Sequence, residues 1–466
     1  MRHFRTEMRD PRTLKPNAGN ARSHPKKQVR QIANSILKFD FIGHAVIDGE
    51  GNILAGHARV EAAILAGLAF VPCLIVDHLT EAQKRAFVLA DNKLTLNATW
   101  DEEKLSIALS EILEIDVNFD LSLTGFDAHE VDRLSVEFAP EDQTNSPKDD
   151  KLPEIEADEP AVTREGDIWL CRGHRLICGN ALHREVYESL LGAEPAQMVI
   201  TDPPFNVPIQ GHAGGSGKIK QREFAMAAGE MSAVEFQAFL LAAFRLLVAF
   251  SMNGSIHFVF MDWRHLAEIT AAGAQAYSEL KNLIVWAKDN GGMGTFYRSR
   301  HELVFPFKNG TAPHINNFEL GQHGRYRTNV WEYRGLNTGG KDRQEELKLH
   351  PTVKPVKMLA DAMLDCSKKG GIVLDAFGGS GSTMIAAEKT GRCARLIELD
   401  PIYVDCSIRR WQAYTGEDAI HAETGETFNE RTAAFERARL IASVVTIPYP
   451  DRPNIRRVNF GMGGQP

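Results

Sequence analysis

The second half of the chain is predicted to be an α/β domain with a largely parallel sheet. Two observations predict it: short apolar segments alternate with longer helical stretches, and a glycine-rich segment, AFGGSGST, directly follows one of the apolar segments. Strands that alternate with helices are typical of parallel sheets, because each helix carries the chain back across a face of the sheet. Ligands of such sheets bind beyond the carboxyl ends of the strands, so we expect a site there.

Each predicted strand is a short apolar run bounded by polar residues or glycine. In chain order the strands are DIWLC, HRLICG, AQMVITD, GSIHFVF, KNLIVWA, HELVFPF, GIVLDAF and ARLIELD. Longer segments between them predict helices, namely SAVEFQAFLLAAFRLL, DWRHLAEITAAGAQA, KPVKMLADAMLDCS and GSTMIAAEKT. Asp202 and Asp375 stand at the carboxyl ends of two of these strands.

An acidic segment divides the chain, which at 466 residues is too long for one compact core. Residues 139–160 hold eight acids, two lysines and four prolines. Such a segment cannot bury enough apolar surface to offset its ordering entropy, so it is predicted to be a linker that makes few contacts with either half. We therefore divide the chain into residues 1–138, a linker over 139–162, a second domain over 163–425 that should fold alone, and an extension over 426–466.

The composition, with 43% hydrophobic and 24% charged residues, is ordinary for a folded soluble protein, and the cysteines are expected to be reduced thiols of a cytoplasmic protein. The six cysteines form no CxxC pair, so neither a zinc site nor a disulfide framework is indicated. The basic start MRHFRTEMRDPRTLKP lacks the apolar core of a secretory signal. The most apolar run, FQAFLLAAFRLLVAF, is too short to span a membrane and is predicted to be a buried helix.

The charge is unevenly distributed along the chain. The net charge of −8 argues against indiscriminate binding of polyanions by the whole surface, yet residues 1–40 hold ten Lys and Arg against three Asp and Glu. A solvated face would explain that basic stretch equally well, so it does not by itself indicate nucleic-acid binding.

The segment VLDAFGGSGSTMIAAEKTGR predicts a nucleotide-type ligand site. Gly378, Gly379 and Gly381 would let the backbone approach a ligand closely at the start of a helix. The next strand, ARLIELD, ends in acids about twenty residues later, where Glu398 can hold a ribose diol. The pattern therefore predicts a cofactor that contains a nucleoside.

Three motifs, DPPF, HPTVKP and DAFGGSGST, followed by RLIELDPIY, resemble those of the amino-group DNA methyltransferases. The resemblance covers roughly residues 163–420, and the order of the motifs is similar to the β-class of that family. It implies a Rossmann-like sheet, S-adenosylmethionine as the cofactor, and a target-recognition region between the motifs, at about 288–349.

The resemblance assigns catalysis to Asp202, Pro203, Pro204 and Phe205. The exocyclic amine of adenine is a poor nucleophile because its lone pair is delocalised into the ring. The Asp202 carboxylate and the Pro203 carbonyl can accept hydrogen bonds from its two N–H groups and favour a localised lone pair. Pro204 keeps the corner rigid, and Phe205 offers a flat face on which an extruded base can stack.

The resemblance also implies the cofactor contacts. The residues expected on the methionine and sulfonium side are Asp375, Phe377, Gly378, Gly379, Gly381 and Thr383. Thr352 and Lys354 would reach the methionine carboxylate, and Glu398 would bond the ribose. Asn180 stands where relatives carry an acid, and its amide would contact the adenine of the cofactor.

Arginines and aromatic residues alternate in the region implied for target recognition, in YRSRHE and HGRYRTNVWEYRG. Arginines suit phosphates and guanine edges, and aromatic rings suit stacking, so double-stranded DNA is the expected partner. The candidate DNA contacts are Arg298, Arg300, Arg325, Arg327 and Arg334. For each of them taken singly, a packing or surface role explains the residue equally well.

The first half carries a second resemblance, over residues 20–94. A helix ending SILKFD, a hairpin around DGEGNIL and the segment AGHARVEAAILAG are similar to the N-terminal domain of ParB partition proteins, a small α+β fold shared with sulfiredoxin. In that family the matching turn cradles nucleotide phosphates, which implies a nucleotide site at Gly56, His57 and Arg59. A domain that only supports DNA binding is the alternative.

The combined interpretation is an adenine-N6 DNA methyltransferase with a ParB-like N-terminal module. N4-cytosine methylation is the alternative within the same chemistry; relatives with that target more often have Ser at the position of Asp202. A DNA-binding regulator that has lost catalysis is the alternative from another class. The sequence leaves open the recognition sequence, a homodimer and a restriction partner.

Overall fold

The computed structural model describes residues 4–17, 19–116, 119–138, 149–150, 153, 160–207, 229–289, 291, 297–318, 327–335 and 353–445. These residues contain a four-stranded sheet in the first half and an eleven-stranded sheet in the second. Among the helices of this part of the chain, none combines the length and apolar character needed to cross a bilayer.

The first half is a small α+β unit. Its elements are β1 (Arg5–Arg9), α1 (Lys26–Phe39), β2 (Ala45–Ile47), β3 (Ile53–Ala55), α2 (His57–Leu65), β4 (Val71–Ile75), α3 (Glu81–Thr95), α4 (Glu102–Ile115) and α5 (Ala128–Glu137), with short 3-10 helices at Pro11–Thr13 and Leu121–Thr124. The strand order is β1–β4–β2–β3. The predicted hairpin is confirmed, because β2 and β3 pair antiparallel around DGEGNIL. Val29, Ala33 and Ile36 lie on one face of α1, at helical spacing, and pack against Ala62 of α2.

The second half is the larger unit. Its strands are β5 (Ile168–Cys171), β6 (His174–Cys178), β7 (Ala196–Thr201), β8 (Ser251–Met261), β9 (Glu279–Leu280), β10 (Ile284–Ala287), β11 (His301–Lys308), β12 (Val330–Glu332), β13 (Ile372–Asp375), β14 (Cys393–Glu398) and β15 (Ile420–His421). Its helices are α6 (Arg184–Leu191), α7 (Ala233–Ala249), α8 (Leu266–Ala276), α9 (Val356–Cys366), α10 (Ser382–Thr390), α11 (Pro401–Thr415) and α12 (Phe428–Val445), and a 3-10 turn covers Trp263–His265. Every predicted strand and helix of this half is present.

The large sheet is parallel at its centre. Antiparallel pairs flank this part on both sides, and the edge strand β12 pairs parallel with β10. Its order is β12–β10–β11–β8–β7–β13–β14–β6–β5–β15, with β9 paired to β11. The neighbours β8, β7, β13, β14 and β6 run parallel. β5 and β6 are antiparallel because only Arg172 and Gly173 connect them, and two residues can join strands only as a hairpin.

Helices cover both faces of this sheet, so its central strands are apolar on both sides. In β7, Met198 and Ile200 join a cluster that includes α9, α10 and α11. Val199, between them, faces the opposite cluster with α6, α7 and α8. The predicted burial of FQAFLLAAFRLLVAF is confirmed, since α7 buries residues such as Phe236, Leu240 and Phe244.

Residues before position 160 are in close contact with the second half. The Asp132 carboxylate of α5 forms an ion pair with Arg392 at 2.6 Å. Asp149, within the predicted linker, forms an ion pair with Lys389 at 2.7 Å, and Asp150 accepts a hydrogen bond from the Val356 N–H at 2.9 Å. The expectation of few contacts is therefore wrong at Asp149 and Asp150, because these carboxylates find buried cationic and N–H partners that a composition cannot reveal. The proposed boundaries 139–162 and 163–425 stay predictions.

Candidate active site

The two aspartates predicted at strand ends lie side by side. β7 and β13 are parallel neighbours, so their carboxyl ends meet at the same edge of the sheet. The Thr201 hydroxyl, in the last residue of β7, donates to a carboxylate oxygen of Asp375 at 2.8 Å. Asp202 follows Thr201 directly. The sheet therefore brings the DPPF motif and the glycine-rich motif together, although 172 residues lie between Asp202 and Asp375 in the sequence.

Asp375 organises the turn that leads into α10. Its carboxylate accepts hydrogen bonds from the Thr383 hydroxyl at 2.6 Å and from the Phe377 N–H at 3.1 Å. Burial raises the pKa of Asp375, and these donors act in the opposite direction. Asp375 thus fixes both ends of the glycine-rich loop.

The loop needs glycine where it meets α11. Gly381 has a φ of +78° and precedes the first residue of α10. A Cβ atom built on it would lie 2.8 Å from the Ser407 hydroxyl. The loop therefore packs against α11 at a distance that only glycine permits.

Glu398, predicted to bond a ribose, lies beside this loop at the end of β14. One carboxylate oxygen accepts the Gly379 N–H at 2.8 Å, and the other accepts the Asp400 N–H at 2.8 Å. Burial raises the pKa of Glu398 to about 7, against the two backbone donors, which lower it. Each carboxylate oxygen has a second lone-pair direction, so the group can still accept hydrogen bonds from a diol.

Asn180 follows Gly179, which contacts Glu398; the predicted contact of Asn180 with the cofactor's adenine stays a prediction. The Gly179 N–H donates to the Glu398 carbonyl at 2.8 Å, because β6 and β14 are parallel neighbours. The Asn180 side-chain oxygen accepts the Leu182 N–H at 2.9 Å, so its amide NH₂ is oriented by a local turn.

Asp202 belongs to a row of alternating charges. One of its oxygens, Oδ2, lies 2.5 Å from the Lys354 ammonium, which is also 3.2 Å from Glu302. Glu302 in turn pairs with Lys288. The sequence predicted Asp202 and Lys354 but not Glu302 or Lys288. The only sequence signals were a charged residue at one end of each of the strands β10 and β11.

Aromatic rings surround the Lys354 ammonium. The ring centroids of Phe205, Phe260 and Trp286 lie 5.5, 5.2 and 6.0 Å from its nitrogen. Although burial acts to raise it, the ammonium groups of Lys354 and Lys288 lower the pKa of Glu302 to about 2. Burial raises the pKa of Asp202, while Lys354 acts in the opposite direction. The predicted contact of Lys354 with a methionine carboxylate stays a prediction, and Thr352 lies outside the described residues.

The second oxygen of Asp202, Oδ1, is a buried acceptor without a hydrogen-bond partner among the described residues. Leaving such an acceptor unpaired costs about 1–3 kcal/mol, so a donor that reached it would be bound favourably. The turn after it is held by Asn206, whose amide bonds the backbone of Gly229 and Met231. Pro203, Pro204 and Phe205 lie in this turn, as the motif predicts.

The predicted DNA contacts differ in exposure. Arg298, Arg300 and Arg334 are exposed. Arg327 instead points inwards: it forms an ion pair with Asp365 at 2.9 Å, and its side chain is only 18% exposed. Of the two roles that the sequence allowed for Arg327, the structure shows the packing role. Arg325 lies outside the described residues.

The residues predicted for a nucleotide site occur together in the first half. Gly56, with a φ of +89°, precedes α2, and Arg59 on that helix lines a cleft of about 550 Å³ between α1 and the 3-10 turn Leu121–Thr124. The His57 ring accepts the Asn17 N–H at 3.3 Å, and burial lowers its pKa. Nucleotide binding here stays a prediction.

Comparisons with known proteins give matches to both halves of the chain. Residues 196–409 match a family model described as DNA methylase, N6_N4_Mtase, and residues 103–165 match one described as ParB-methyltransferase HTH domain. The ParB-like nuclease domain-containing protein YnaK of Escherichia coli (strain K12) is 42% identical over 72 residues, which are 16% of this chain and 83% of that protein.

Two type II methyltransferases are also similar. M.ScaI of Streptomyces caespitosus is 34% identical over 90 residues, which are 19% of this chain and only 30% of that protein. M.HpaI of Haemophilus parainfluenzae is 25% identical over 267 residues, which are 53% of this chain and 77% of that protein. The solved structure of PvuII DNA methyltransferase (cytosine-N4-specific) is 14% identical, covers 60% of this chain and 95% of its own, and has a TM-score of 0.40.

The methylase family indicates S-adenosylmethionine as the cofactor. The two family models and the relative YnaK lead to one conclusion: the chain carries an N6/N4 DNA methylase domain over residues 196–409, preceded by a ParB-like part and a ParB-methyltransferase HTH domain.

Proposed function

We propose that the protein transfers a methyl group from S-adenosylmethionine to the N6 amine of adenine in double-stranded DNA. The observation that carries the proposal is the Oδ1 atom of Asp202, a buried acceptor that has no hydrogen-bond partner among the residues the structure describes and lies at the edge of the sheet beside the glycine-rich loop. An amine N–H is the donor that this acceptor suits. The Pro203 carbonyl would accept the second N–H, because the proline ring fixes the turn.

The chain's own groups would prepare the amine for attack. S-adenosylmethionine supplies the electrophilic methyl group. Hydrogen bonds to Asp202 and Pro203 favour a pyramidal nitrogen with a localised lone pair, and catalysis is then largely a matter of positioning. Lys354 holds Asp202 through Oδ2 and leaves Oδ1 free for the amine. As the amine nitrogen bonds to the methyl carbon, the carbon–sulfur bond of the cofactor would break and S-adenosylhomocysteine would leave. The nitrogen would lose a proton, and Asp202, whose pKa is raised by burial, is placed to receive it.

The cofactor would lie along the edge formed by β13, β14 and β6. The residues proposed for the methionine side of the cofactor are Asp375, Phe377, Gly378, Gly379, Gly381 and Thr383. Glu398 would accept the ribose hydroxyls, and Asn180, next to Glu398, would contact the cofactor's adenine. The exposed Arg298, Arg300 and Arg334 are proposed to contact DNA phosphates.

The target base is tested by the product. Asp rather than Ser at position 202 favours adenine, so we expect N6-methyladenine when purified protein is incubated with duplex DNA and S-adenosylmethionine. Mass spectrometry of the digested DNA measures it. Detection of N4-methylcytosine alone would establish the alternative target. The exocyclic amines of adenine and cytosine need the same pair of acceptors, so only the product distinguishes the two targets. A protein that takes up no S-adenosylmethionine in calorimetry would be the inactive DNA-binding regulator.

The affinity for S-adenosylmethionine is expected to rise with pH between about 6 and 8. Ribose hydroxyls donate to the ionised form of Glu398, whose pKa is raised to about 7, so protonation competes with binding below that value. The affinity should fall about tenfold from pH 8 to pH 6. Calorimetry across this range measures the change. Glu398→Gln should bind more weakly and without that dependence; an equal pH dependence in both proteins would contradict the ribose assignment.

A further inference from the structure

Two consecutive aspartates of the acidic segment, Asp149 and Asp150, are packed against the methylase domain. Asp149 is 5% exposed. Its carboxylate binds Lys389 at 2.7 Å, and its carbonyl accepts a hydrogen bond from Arg410 at 2.8 Å. Lys389 lies in the last turn of α10, the helix that follows the glycine-rich loop. Asp149 therefore contacts the C-terminal end of α10 through Lys389. Arg410, which donates to the Asp149 carbonyl, also reaches Ser382 at the N-terminal end of the same helix.

Arg410 and Ser407 of α11 hold the glycine-rich loop from behind. One guanidinium nitrogen of Arg410 donates to the Ser380 carbonyl and to the Ser382 hydroxyl, both at 3.0 Å. The Ser407 hydroxyl donates to the Gly379 carbonyl at 2.9 Å. The second guanidinium nitrogen of Arg410 is the one that binds Asp149, so the acidic segment and the loop share one buried cation.

The charge of Arg410 also depends on this segment. Burial lowers the pKa of Arg410, and the carboxylates of Asp150 and Asp149 act in the opposite direction. A buried guanidinium that lost these carboxylates would have to be re-solvated, and the side chain would then move away from the loop.

Asp150 acts on the other side of the site. Its carboxylate accepts the Val356 N–H, the first in α9, at 2.9 Å. The preceding residue, Pro355, makes no side-chain capping hydrogen bond, so Asp150 takes the capping role from 206 residues away. Lys354 stands immediately before Pro355 and pairs with Asp202.

We propose that Asp149 and Asp150 are positioning residues for methyl transfer: Asp149 orders the glycine-rich loop through Arg410 and Lys389, and Asp150 orders Lys354 through the start of α9. This inference rests on the proposed function of the same site. Asp149 and Asp150 lie within residues 103–165, which match the ParB-methyltransferase HTH domain. The proposal therefore gives these two residues of the acidic segment a role in the activity of the methylase domain.

The two residues should affect different constants. In the full-length protein, Asp149→Ala should weaken S-adenosylmethionine binding about tenfold, with little change in kcat at saturating cofactor. The substitution removes the carboxylate partner of the buried Lys389 ammonium and a negative charge near Arg410, although the hydrogen bond from Arg410 to the backbone carbonyl of residue 149 remains. Asp150→Ala should instead lower kcat about fivefold with little change in cofactor affinity, because a capping hydrogen bond beside Lys354 is lost. Asp150→Asn should restore kcat, since an amide oxygen accepts the same N–H. Glu165→Ala, at an exposed acid, is the control.

Calorimetry gives the affinity, single-turnover methylation gives the rate, and hydrogen exchange of residues 376–390 and 353–366 reports the order of the two segments without any ligand. Faster exchange confined to the segment next to each substituted residue supports the proposal. Unchanged constants in Asp149→Ala and Asp150→Ala overturn it, and so does an equal loss of both constants with a lower unfolding temperature, which marks a general structural role. If the unsubstituted protein bound no S-adenosylmethionine, the proposed function would fail, whereas the exchange data would still test the two aspartates.

Discussion

Replacing Asp202 with alanine is expected to lower the rate of methyl transfer by about 10²–10³-fold while S-adenosylmethionine affinity changes only a few-fold. A preorganised acceptor at the reacting amine contributes about that much to the rate. The residues proposed to hold the cofactor's methionine and ribose lie around Asp375 and Glu398, and Asp202 is linked to Asp375 through the hydroxyl of its neighbour Thr201. Single-turnover methylation and calorimetry on the purified variant measure the two quantities.

Asp202→Asn is the matched control. It keeps the size of the side chain and one acceptor oxygen but removes the negative charge opposite Lys354. A rate between those of the unsubstituted protein and Asp202→Ala would assign part of the effect to the charge. Near-normal turnover by a folded Asp202→Ala would sink the catalytic assignment, and a loss of cofactor affinity as large as the loss of rate would place Asp202 in the cofactor site instead.

Replacing Asp132 with alanine is expected to destabilise the methylase domain by about 3–5 kcal/mol. Arg392 has a fully buried side chain, and its other partners, Ser367 and Thr390, are neutral groups. Without Asp132 its charge stays buried and uncompensated, which typically costs this amount. Urea denaturation followed by tryptophan fluorescence measures the change in the free energy of unfolding.

The double replacement Asp132→Leu with Arg392→Met tests the cause. It removes both charges and fills the space with apolar groups, so stability should return towards that of the unsubstituted protein. A double variant as unstable as Asp132→Ala would show that packing, not charge, fixes the position of α5.

The ion pair between Asp132 and Arg392 also changes what is expected of a chain that starts at residue 163. Such a chain would lose Asp132, Asp149 and Asp150 together, so independent folding of residues 163–425 is no longer expected.

Patterns within a short stretch of sequence predicted most of the second half. The central strands are apolar on both faces, so each is visible in the sequence as a short apolar run. The loop after β13 needs glycine at position 381, so it is visible as a glycine-rich segment. The sheet then brings Asp202 and Asp375 together because parallel neighbours end at one edge. The helix-and-hairpin order of the first half was also readable, since the turn between β2 and β3 is encoded by DGEGNIL.

Contacts between distant positions could not be predicted in this way. Glu302 and Lys288 act through pairing across strands, and nothing in their neighbours distinguishes them from surface charges. Arg327 alternates with aromatic residues as a DNA contact would, yet it lies against Asp365 because the chain turns it inwards. Asp149 and Asp150 lie in a segment whose composition is that of a linker, and only their buried partners show otherwise.

The charge row from Lys288 to Asp202 has a consequence for changing the target specificity of the protein. Lys288 is the first residue of the proposed recognition region, 288–349, and Glu302 lies inside that region in β11. Both residues nevertheless set the environment of the carboxylate that would meet the amine. Replacing the whole region with the recognition segment of another protein would therefore remove Lys288 and Glu302, and it would lower the rate of methyl transfer as well as change the DNA sequence that is recognised. An exchange confined to residues 289–300 and 309–349 keeps Lys288 and Glu302 in place. Chimaeras built with those junctions should keep their turnover while recognising a new DNA sequence.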